Sequence, residues 1–360
     1  MTRWTTAVRA TGAAMATALV LTGCSAGTRA EALPAPAPTT TVAAEVQAAR
    51  SAPPDPDVPL VWPLTGVRTE KIGARPAVSV KIENATAARP QRGLNEADIV
   101  WEEVVEGGIS RFVATYHSKL PEAVEPVRSV RPMDPAIVAP LDGILVFSGG
   151  QGPFIKATQR VGTQTIIMDD GDPGFRRDPR REAPHNVIGT MSTFLEQADA
   201  ERTTPPPAQF EYARKPGQGS APQAGRYVRS VDVRLSSLQR TVWMWDRNSK
   251  RYLRSEGTTK SVSADGRRHG ARNVLVLSTE VVNTKFVDPA GAPVPEHKLA
   301  KRDGKGVLLS MGHAISVRWS KKSLNAPIVL KVPGGKTAEL DPGNTWIELV
   351  PRGKGSWELG

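Results

Sequence analysis

The chain has 360 residues and a single cysteine, Cys24. One cysteine cannot form a disulfide within the chain, and it cannot build a Cys-rich zinc site. The remainder of the chain also lacks a cysteine nucleophile. A fold of this chain must therefore be stabilised by buried apolar side chains. With 39% hydrophobic residues, the chain can form one large hydrophobic core or two of ordinary size.

The amino terminus has the features of an export signal. Arg3 and Arg9 precede a short apolar segment, 13–21, which is too short to span a bilayer but suits a signal peptide. The segment ends in Leu-Thr-Gly-Cys at 21–24, which resembles the bacterial lipobox. This motif implies cleavage after a signal peptide of residues 1–23 and a diacylglyceryl thioether on Cys24, often with an acylated (palmitate-type) amino terminus. Two or more acyl chains would hold the protein stably on the extracytoplasmic face of the cell membrane. The alternative is an ordinary secretory signal in which the cysteine is incidental.

The charge of the chain predicts an anionic partner. The sequence has 47 basic and 36 acidic residues; without Arg3 and Arg9, 45 basic residues remain, a net charge of +9. A basic surface attracts anions. For an exported protein we expect no nucleic-acid partner, and the available anions are phospholipid headgroups and acidic envelope polymers. Alternatively, the charge only keeps the protein soluble.

Composition divides the chain into segments. Residues 24–58 are rich in Pro, Ala and Thr and predict a disordered tether. Residues 59–200 show mixed strand and helix patterns and predict an α/β N-terminal domain. The Pro/Gly-rich segment 201–224 predicts a linker. Residues 225–360 predict a mostly-β C-terminal domain, either a small barrel or a sandwich. The expected fold class is α+β.

Several elements have clear local signals. Residues 78–82 alternate and predict a half-buried strand. Two further strands flank Gly107-Gly108 and predict a β-hairpin. Short helices are expected at 133–141, from Pro153 and at 191–200. The tryptophans at 243, 245, 319 and 346 lie in strand patterns, where core packing is favoured over a sugar-binding platform.

A glycine-rich turn and two arginines suggest an anion site. Gly149 and Gly150 follow an apolar strand and precede a predicted helix, an arrangement whose backbone N–H groups can bind anions. The alternative is a plain tight turn. Arg128 and Arg131 lie in a Pro-flanked loop, and arginine suits bidentate recognition of phosphate or carboxylate. Alternatively, these arginines pair with nearby acids, namely Glu102, Glu103, Glu106, Asp169, Asp170 and Asp172.

A second basic segment contributes further candidates. Arg180 and Arg181 precede His185 and Asn186, and we include all four in the predicted anion-binding set. Histidine is a common general base, but an isolated loop histidine is more often structural. His185 and the aspartates at 169, 170 and 172 offer the oxygen ligands that hard cations prefer, but their spacing matches no EF-hand loop. We therefore predict no metal and no cofactor, and the sequence has no nucleophile-elbow or zinc-protease motif.

Four motifs in these segments resemble one family. They are IENATAARPQRGLNEADIVWEEVVEGGISRF (82–112), EPVRSVRP (125–132), RREAPHN (180–186) and ELDPGNTWIELVP (339–351). They resemble the YerB-like lipoproteins, also called domain of unknown function 3048. The resemblance implies a bacterial envelope lipoprotein with distinct N-terminal and C-terminal domains, and it brings no established activity. Glu125 stands where a glycine is expected.

Two functional hypotheses follow. The first, which we prefer, is a non-catalytic lipoprotein that binds an anionic envelope polymer or a partner protein through Arg111, Arg128, Arg131 and the glycine-rich turn. The second is an enzyme similar to the LytR-CpsA-Psr phosphotransferases, acting on polyprenyl-linked cell-wall glycopolymers. The enzyme would need an acidic residue, such as Asp98 or Asp134, in one deep pocket with the arginines and a hydrophobic channel.

Overall fold

Strands outnumber helices in residues 59–360, which are the residues that the computed structural model describes. The predicted signal peptide, Cys24 and the predicted tether lie outside them. The strands are β1 Val78–Glu83, β2 Ile99–Val104, β3 Ser110–Tyr116, β4 Ala123–Val124, β5 Ile144–Phe147, β6 Gln164–Ile167, β7 Phe175–Arg177, β8 Val187–Thr190, β9 Glu211–Tyr212, β10 Arg226–Tyr227, β11 Ser230–Arg234, β12 Arg240–Asp246, β13 Arg251–Glu256, β14 Thr259–Lys260, β15 Gly270–Ala271, β16 Asn273–Val287, β17 Pro293–Lys298, β18 Arg302–Ser310, β19 His313–Lys321, β20 Val329–Lys331, β21 Glu339–Leu340, β22 Thr345–Pro351 and β23 Ser356–Leu359.

The helices of residues 59–360 are short. The α-helices are α1 Asp134–Val138, α2 Gly152–Arg160, α3 Met191–Glu196 and α4 Ser220–Ala224. The 3₁₀ turns are Thr86–Ala88, Leu94–Glu96, Glu106–Gly108, Ala139–Leu141 and Met168–Asp170. A mixed α/β N-terminal domain is therefore not confirmed, although β5, α2 and β6 form a βαβ unit. The predicted helix at 133–141 is split into α1 and a 3₁₀ turn, because Pro140 lacks the N–H that would continue the helix. None of the helices described between residues 59 and 360 is long and apolar enough to cross a membrane.

A twelve-stranded sheet runs through the described part of the chain. Its order is β10-β19-β18-β16-β22-β2-β3-β1-β5-β6, with β17 added to β16 and β20 added to β19. The predicted hairpin is confirmed, because β2 and β3 pair antiparallel across Gly107-Gly108. Strand β22 pairs in parallel with both β2 and β16, with Ile99, Thr345 and Asn273 in register. Strands from both sides of residues 201–224 thus form one sheet.

A second, six-stranded sheet covers one face of the large sheet. Its order is β14-β13-β12-β11-β23, with β15 added to β13. The two sheets enclose a hydrophobic core in which Trp346 contacts Phe112 and Trp243 edge-on, with ring centroids 5.4 and 5.2 Å apart. Of the predicted core tryptophans, those at 243, 319 and 346 are buried. The C-terminal strands therefore do not form a separate barrel: part of them extends the large sheet and the rest packs on it.

The opposite face of the large sheet is covered as well. A second core on that face includes Leu145 of β5 and Phe154 of α2. As a result all six residues of β1 are buried, Ser79, Lys81 and Glu83 included. The expectation of a half-buried β1 was wrong, because periodicity does not show which faces other elements cover.

The Pro/Gly-rich segment 201–224 packs against the rest of the molecule. Phe210, Ala213 and Ala221 are buried, β9 pairs in parallel with β21, and the segment includes α4. Residues 59–360 lie within one compact unit. The domain boundary that the sequence predicts within residues 201–224 remains a prediction.

Candidate functional site

The predicted anion site lies at the carboxyl end of β1. Arg111 of β3 is in register between Glu83 of β1 and Glu103 of β2. Because side chains alternate along strands, Lys81, Glu83, Glu103 and Arg111 share one face of the large sheet. We call the group formed by Arg111, Arg128 and Arg131 the arginine site.

The loop that carries Arg128 and Arg131 lies between β1 and the glycine-rich turn. Arg128 N–H donates to Lys81 O at 2.8 Å, and its carbonyl accepts from Ser148 N–H at 3.1 Å. Val130 N–H donates to Gly149 O at 3.0 Å. The tertiary structure thus brings the predicted arginine loop and the predicted glycine turn side by side.

Gly149 and Gly150 are required for close packing. A Cβ atom at 149 would lie 1.8 Å from Asp169 Oδ2, and one at 150 would lie 2.6 Å from Val130 Cγ1. The tight-turn interpretation therefore explains both glycines. Their contribution to the arginine site is to let the Arg128 loop approach the turn.

Arg111 is the least compensated charge of the arginine site. Its side chain is almost fully buried, and its Nη1 donates to Ser129 O at 3.0 Å. Its Nε has no hydrogen-bond partner in the residues that the structure describes. Within residues 59–360, no carboxylate oxygen lies within the 4.0 Å of an ion pair. Burial, and next the positive charge of Arg131, lower the pKa of Arg111 to about 9. This guanidinium keeps unused donors at a poorly solvated position.

The other charges of the site are paired. Arg131 Nε lies 2.6 Å from Glu106 Oε1, and Arg128 Nε lies 3.3 Å from Glu83 Oε1. Glu83 Oε2 also lies 2.9 Å from His185 Nδ1 and accepts a hydrogen bond when that nitrogen carries a proton. Three guanidiniums thus face two carboxylates, which leaves a net positive charge even when His185 is neutral. Pairing with a nearby acid, the alternative to anion binding, is observed for Arg131 and Glu106. Arg128 instead pairs with Glu83, an acid that the sequence analysis did not include.

A buried charge cluster lies beside the site and was missed by sequence reasoning. Lys81 Nζ donates to Glu103 and lies 2.7 Å from Asp134 Oδ1. Burial and the neighbouring Asp134 raise the pKa of Glu103, against the opposing charge of Lys81. His297 lies near Lys81, and burial lowers its pKa to about 3. The available signal was that Lys81 and Glu103 lie on the same side of their strands as Arg111.

Arg180, Arg181 and Asn186 lie outside the arginine site. Arg180 is exposed and pairs with Asp178 at 2.8 Å; its hydrogen bonds lower the pKa of Asp178. Arg181 donates to Ala88 O at 2.9 Å and lies 3.3 Å from Glu125 Oε1. Asn186 Oδ1 accepts from Arg177 at 2.8 Å. These contacts fix the loop, and only His185 of this segment reaches the arginine site.

Glu125 is accommodated by two arginines. Its buried carboxylate lies 3.3 Å from Arg181 and 3.8 Å from Arg92, so the residue that departs from the family pattern supports the same loop. Of the three aspartates considered for a cation, Asp172 accepts from Ile167 N–H at 2.6 Å. No group of three or more His, Cys, Asp or Glu suited to a metal occurs in residues 59–360.

Comparisons with known proteins agree with the resemblance. Residues 64–204 match the model described as "Protein of unknown function (DUF3048) N-terminal domain", and residues 231–347 match the corresponding C-terminal domain. A Bacillus subtilis (strain 168) protein named "Putative lipoprotein YerB" is 30% identical over 307 residues, which cover 84% of this chain and 89% of that protein. The crystal structure of YerB protein from Bacillus subtilis is similar with a TM-score of 0.70 and 28% identity, over 83% of this chain and 99% of that one.

Proposed function

This chain belongs to the DUF3048 family, and from that premise we propose that it is an extracytoplasmic lipoprotein, anchored through Cys24, that binds an anionic envelope ligand at the arginine site. The family relative named a lipoprotein supports the anchor, as does the lipobox-like sequence before Cys24. The proposed role is binding, without a chemical step.

The proposal rests on one observation: the side chain of Arg111 is buried and forms no ion pair within residues 59–360. A buried charge without a partner is costly, and breaking a buried pair costs about 3–5 kcal/mol for this reason. The two carboxylates near Arg111 are engaged by Arg128, His185 and Arg131. An oxyanion of a ligand would supply the missing acceptor for Arg111.

Phosphate and carboxylate suit this site because a guanidinium can bind either through two parallel hydrogen bonds. The Arg128 side chain is about a quarter exposed, so its guanidinium can bind the next charge of a polymer. Such a repeating polyanion would bind more tightly than a single ion. The remaining alternative for a ligand is an acidic surface of a partner protein.

The phosphotransferase alternative gains no specific support. Asp134 is fully buried and engaged by Lys81 and by Arg131 N–H. Asp98 lies at the opposite end of β2 from Glu103 and Arg111. We therefore propose no catalytic step.

The test is binding by residues 25–360, which keep the whole compact unit, to polyphosphate, polyglutamate and a short polyprenyl pyrophosphate. We expect saturable binding at physiological salt, weakened at least about tenfold by Arg111→Gln, which corresponds to about 1.4 kcal/mol. Arg180→Gln is the matched control, since it removes the same charge from an exposed position outside the site. The proposal would be contradicted if the two variants bound equally well, or if binding by the wild-type protein disappeared at physiological salt.

A further inference from the structure

A basic cavity lies at the end of β2 opposite to the arginine site. Its volume is about 240 Å³, and its lining includes Asp98, Arg272 and Asn344. These residues immediately precede β2, β16 and β22, three neighbouring parallel strands. The cavity thus lies at the amino ends of strands drawn from both family domains.

Two arginines that line the cavity, Arg251 and Arg272, form no ion pair within residues 59–360. Arg251 Nη2 donates to Gly270 O, and also to Asn344 Oδ1 at 3.2 Å. Its buried Nε has no hydrogen-bond partner among residues 59–360. Among residues 59–360, the Arg272 guanidinium makes one hydrogen bond, from Nη1 to Met311 Sδ at 3.0 Å. Within the described residues, neither guanidinium has a carboxylate at ion-pair distance. Burial lowers the pKa of both arginines, and for Arg251 the charge of Arg272 adds to the effect.

The acids that line the cavity are already engaged. Glu96 Oε1 lies 2.6 Å from Arg267 Nη2. Asp98 Oδ2 accepts from the backbone N–H groups of His117 and Ser118, each at 2.8 Å. Neither Glu96 nor Asp98 therefore forms an ion pair with Arg251 or Arg272 in residues 59–360, although the charge of Asp341 acts on Arg272.

Neutral groups complete the lining. The side-chain nitrogen of Asn95 is buried and has no hydrogen-bond partner in the described part of the chain. Trp62 supplies a half-buried aromatic wall and is held edge-on against His117, with ring centroids 5.2 Å apart. The lining thus combines charged donors, a neutral donor and one apolar surface, as ligand sites do.

Gly343 positions Arg272. A Cβ at 343, where φ is +146°, would lie 2.6 Å from Arg272 Cβ and 2.8 Å from Cγ. A side chain at 343 would therefore displace Arg272 from its place at the cavity. Gly343 and Asn344 belong to the motif at 339–351, and Asn95 belongs to the motif at 82–112.

We propose that this cavity binds a compact molecule with one terminal oxyanion, a carboxylate or a phosphate, held by Arg251 and Arg272. Asn95 donates to the neutral part of the ligand, and Trp62 covers its apolar side. The volume admits a ligand of the size of a dipeptide or a glycerol phosphate rather than a polymer. This site is independent of the arginine site, since the two lie at opposite ends of β2.

The test uses residues 25–360 and calorimetric titration with inorganic phosphate, glycerol 3-phosphate and N-acetyl-alanylalanine, at constant ionic strength. The same dipeptide with its terminal carboxylate replaced by an amide is the uncharged control. We expect saturable binding of at least one oxyanion and a tenfold or greater loss in Arg272→Gln. Arg318→Gln, an exposed arginine paired with Asp303, is the control and should bind normally.

A second variant distinguishes a loss of binding from a loss of folding. Asn95→Asp keeps the side-chain shape and places a carboxylate in the cavity, so it should abolish oxyanion binding while the circular dichroism spectrum is unchanged. Arg111→Gln should retain this binding, which separates the cavity from the arginine site. Absence of saturable binding by all three probes, or normal binding by Asn95→Asp, would overturn the proposal.

Discussion

Arg254 of β13 and Glu102 of β2 form a fully buried ion pair, with Nη2 2.6 Å from Oε2, although 152 positions separate them in the chain. The guanidinium also lies over the rings of Phe112 and Trp346, 5.2 and 5.5 Å from their centroids. Because Arg254 belongs to the six-stranded sheet and Glu102 to the large sheet, this pair joins the two layers of the core.

Removing Arg254 should destabilise the folded chain strongly. Arg254→Met leaves Glu102 buried without its cation, and such a change costs about 3–5 kcal/mol. Urea denaturation at neutral pH measures the free energy of unfolding. Arg318→Met removes an exposed arginine and should change it by less than about 1 kcal/mol. Similar midpoints for the two variants would show that the buried pair is dispensable.

Arg111 and Arg131 should respond in opposite ways to the same substitution. Arg111→Met removes an unpaired buried charge, so the free energy of unfolding should stay constant or rise by about 1 kcal/mol while polyanion binding falls. Arg131→Met leaves the nearly buried Glu106 unpaired and should cost about 2 kcal/mol or more. Thermal and urea unfolding of both variants compare the two effects. A large loss of stability in Arg111→Met would mean that this arginine is structural.

His269 should make the stability of the folded chain pH-dependent. Burial, followed by the charge of Arg254, lowers its pKa to about 3, against about 6.5 in the unfolded chain. Between these two pKa values, unfolding is accompanied by protonation of His269. Its contribution to the free energy of unfolding is therefore complete above pH 6.5 and decreases as the pH falls, by up to about 1.4 kcal/mol per pH unit.

The His269→Gln variant isolates this contribution. The difference in unfolding free energy between wild type and variant should be constant above pH 7 and should shrink or reverse sign toward pH 4. Glutamine can still bond Ser261, the present partner of His269. A difference that does not vary between pH 7 and pH 4 would contradict the lowered pKa.

Cys24 should be required for membrane attachment. Cys24→Ala removes the thiol that would carry the lipid, so the protein should leave the membrane fraction and should not incorporate labelled fatty acid. Ser25→Ala is the matched control and should behave as wild type. Absence of label from the wild-type protein would favour the ordinary secretory signal instead.

Local pattern was sufficient for part of the fold. The hairpin β2–β3 follows from two apolar strands around Gly107-Gly108, and the helix after the glycine-rich turn begins at Gly152, one residue from its predicted start. Each of these features depends on residues that are close in sequence. The family motifs likewise lie in short segments, so they could be recognised without a structure.

By itself, the sequence determined that the chain has no internal disulfide, that it carries a lipobox-like cysteine and that Arg128 and Arg131 belong to one loop. Only the tertiary structure decided that β22 joins β2, that Lys81 is buried, and that Arg251 and Arg272 face one cavity. The physical reason is that alternation reports the local backbone conformation, whereas strand pairing and burial depend on packing among distant segments. Charges that look alike in sequence therefore become an unpaired buried group at Arg111 and a simple surface pair at Arg180.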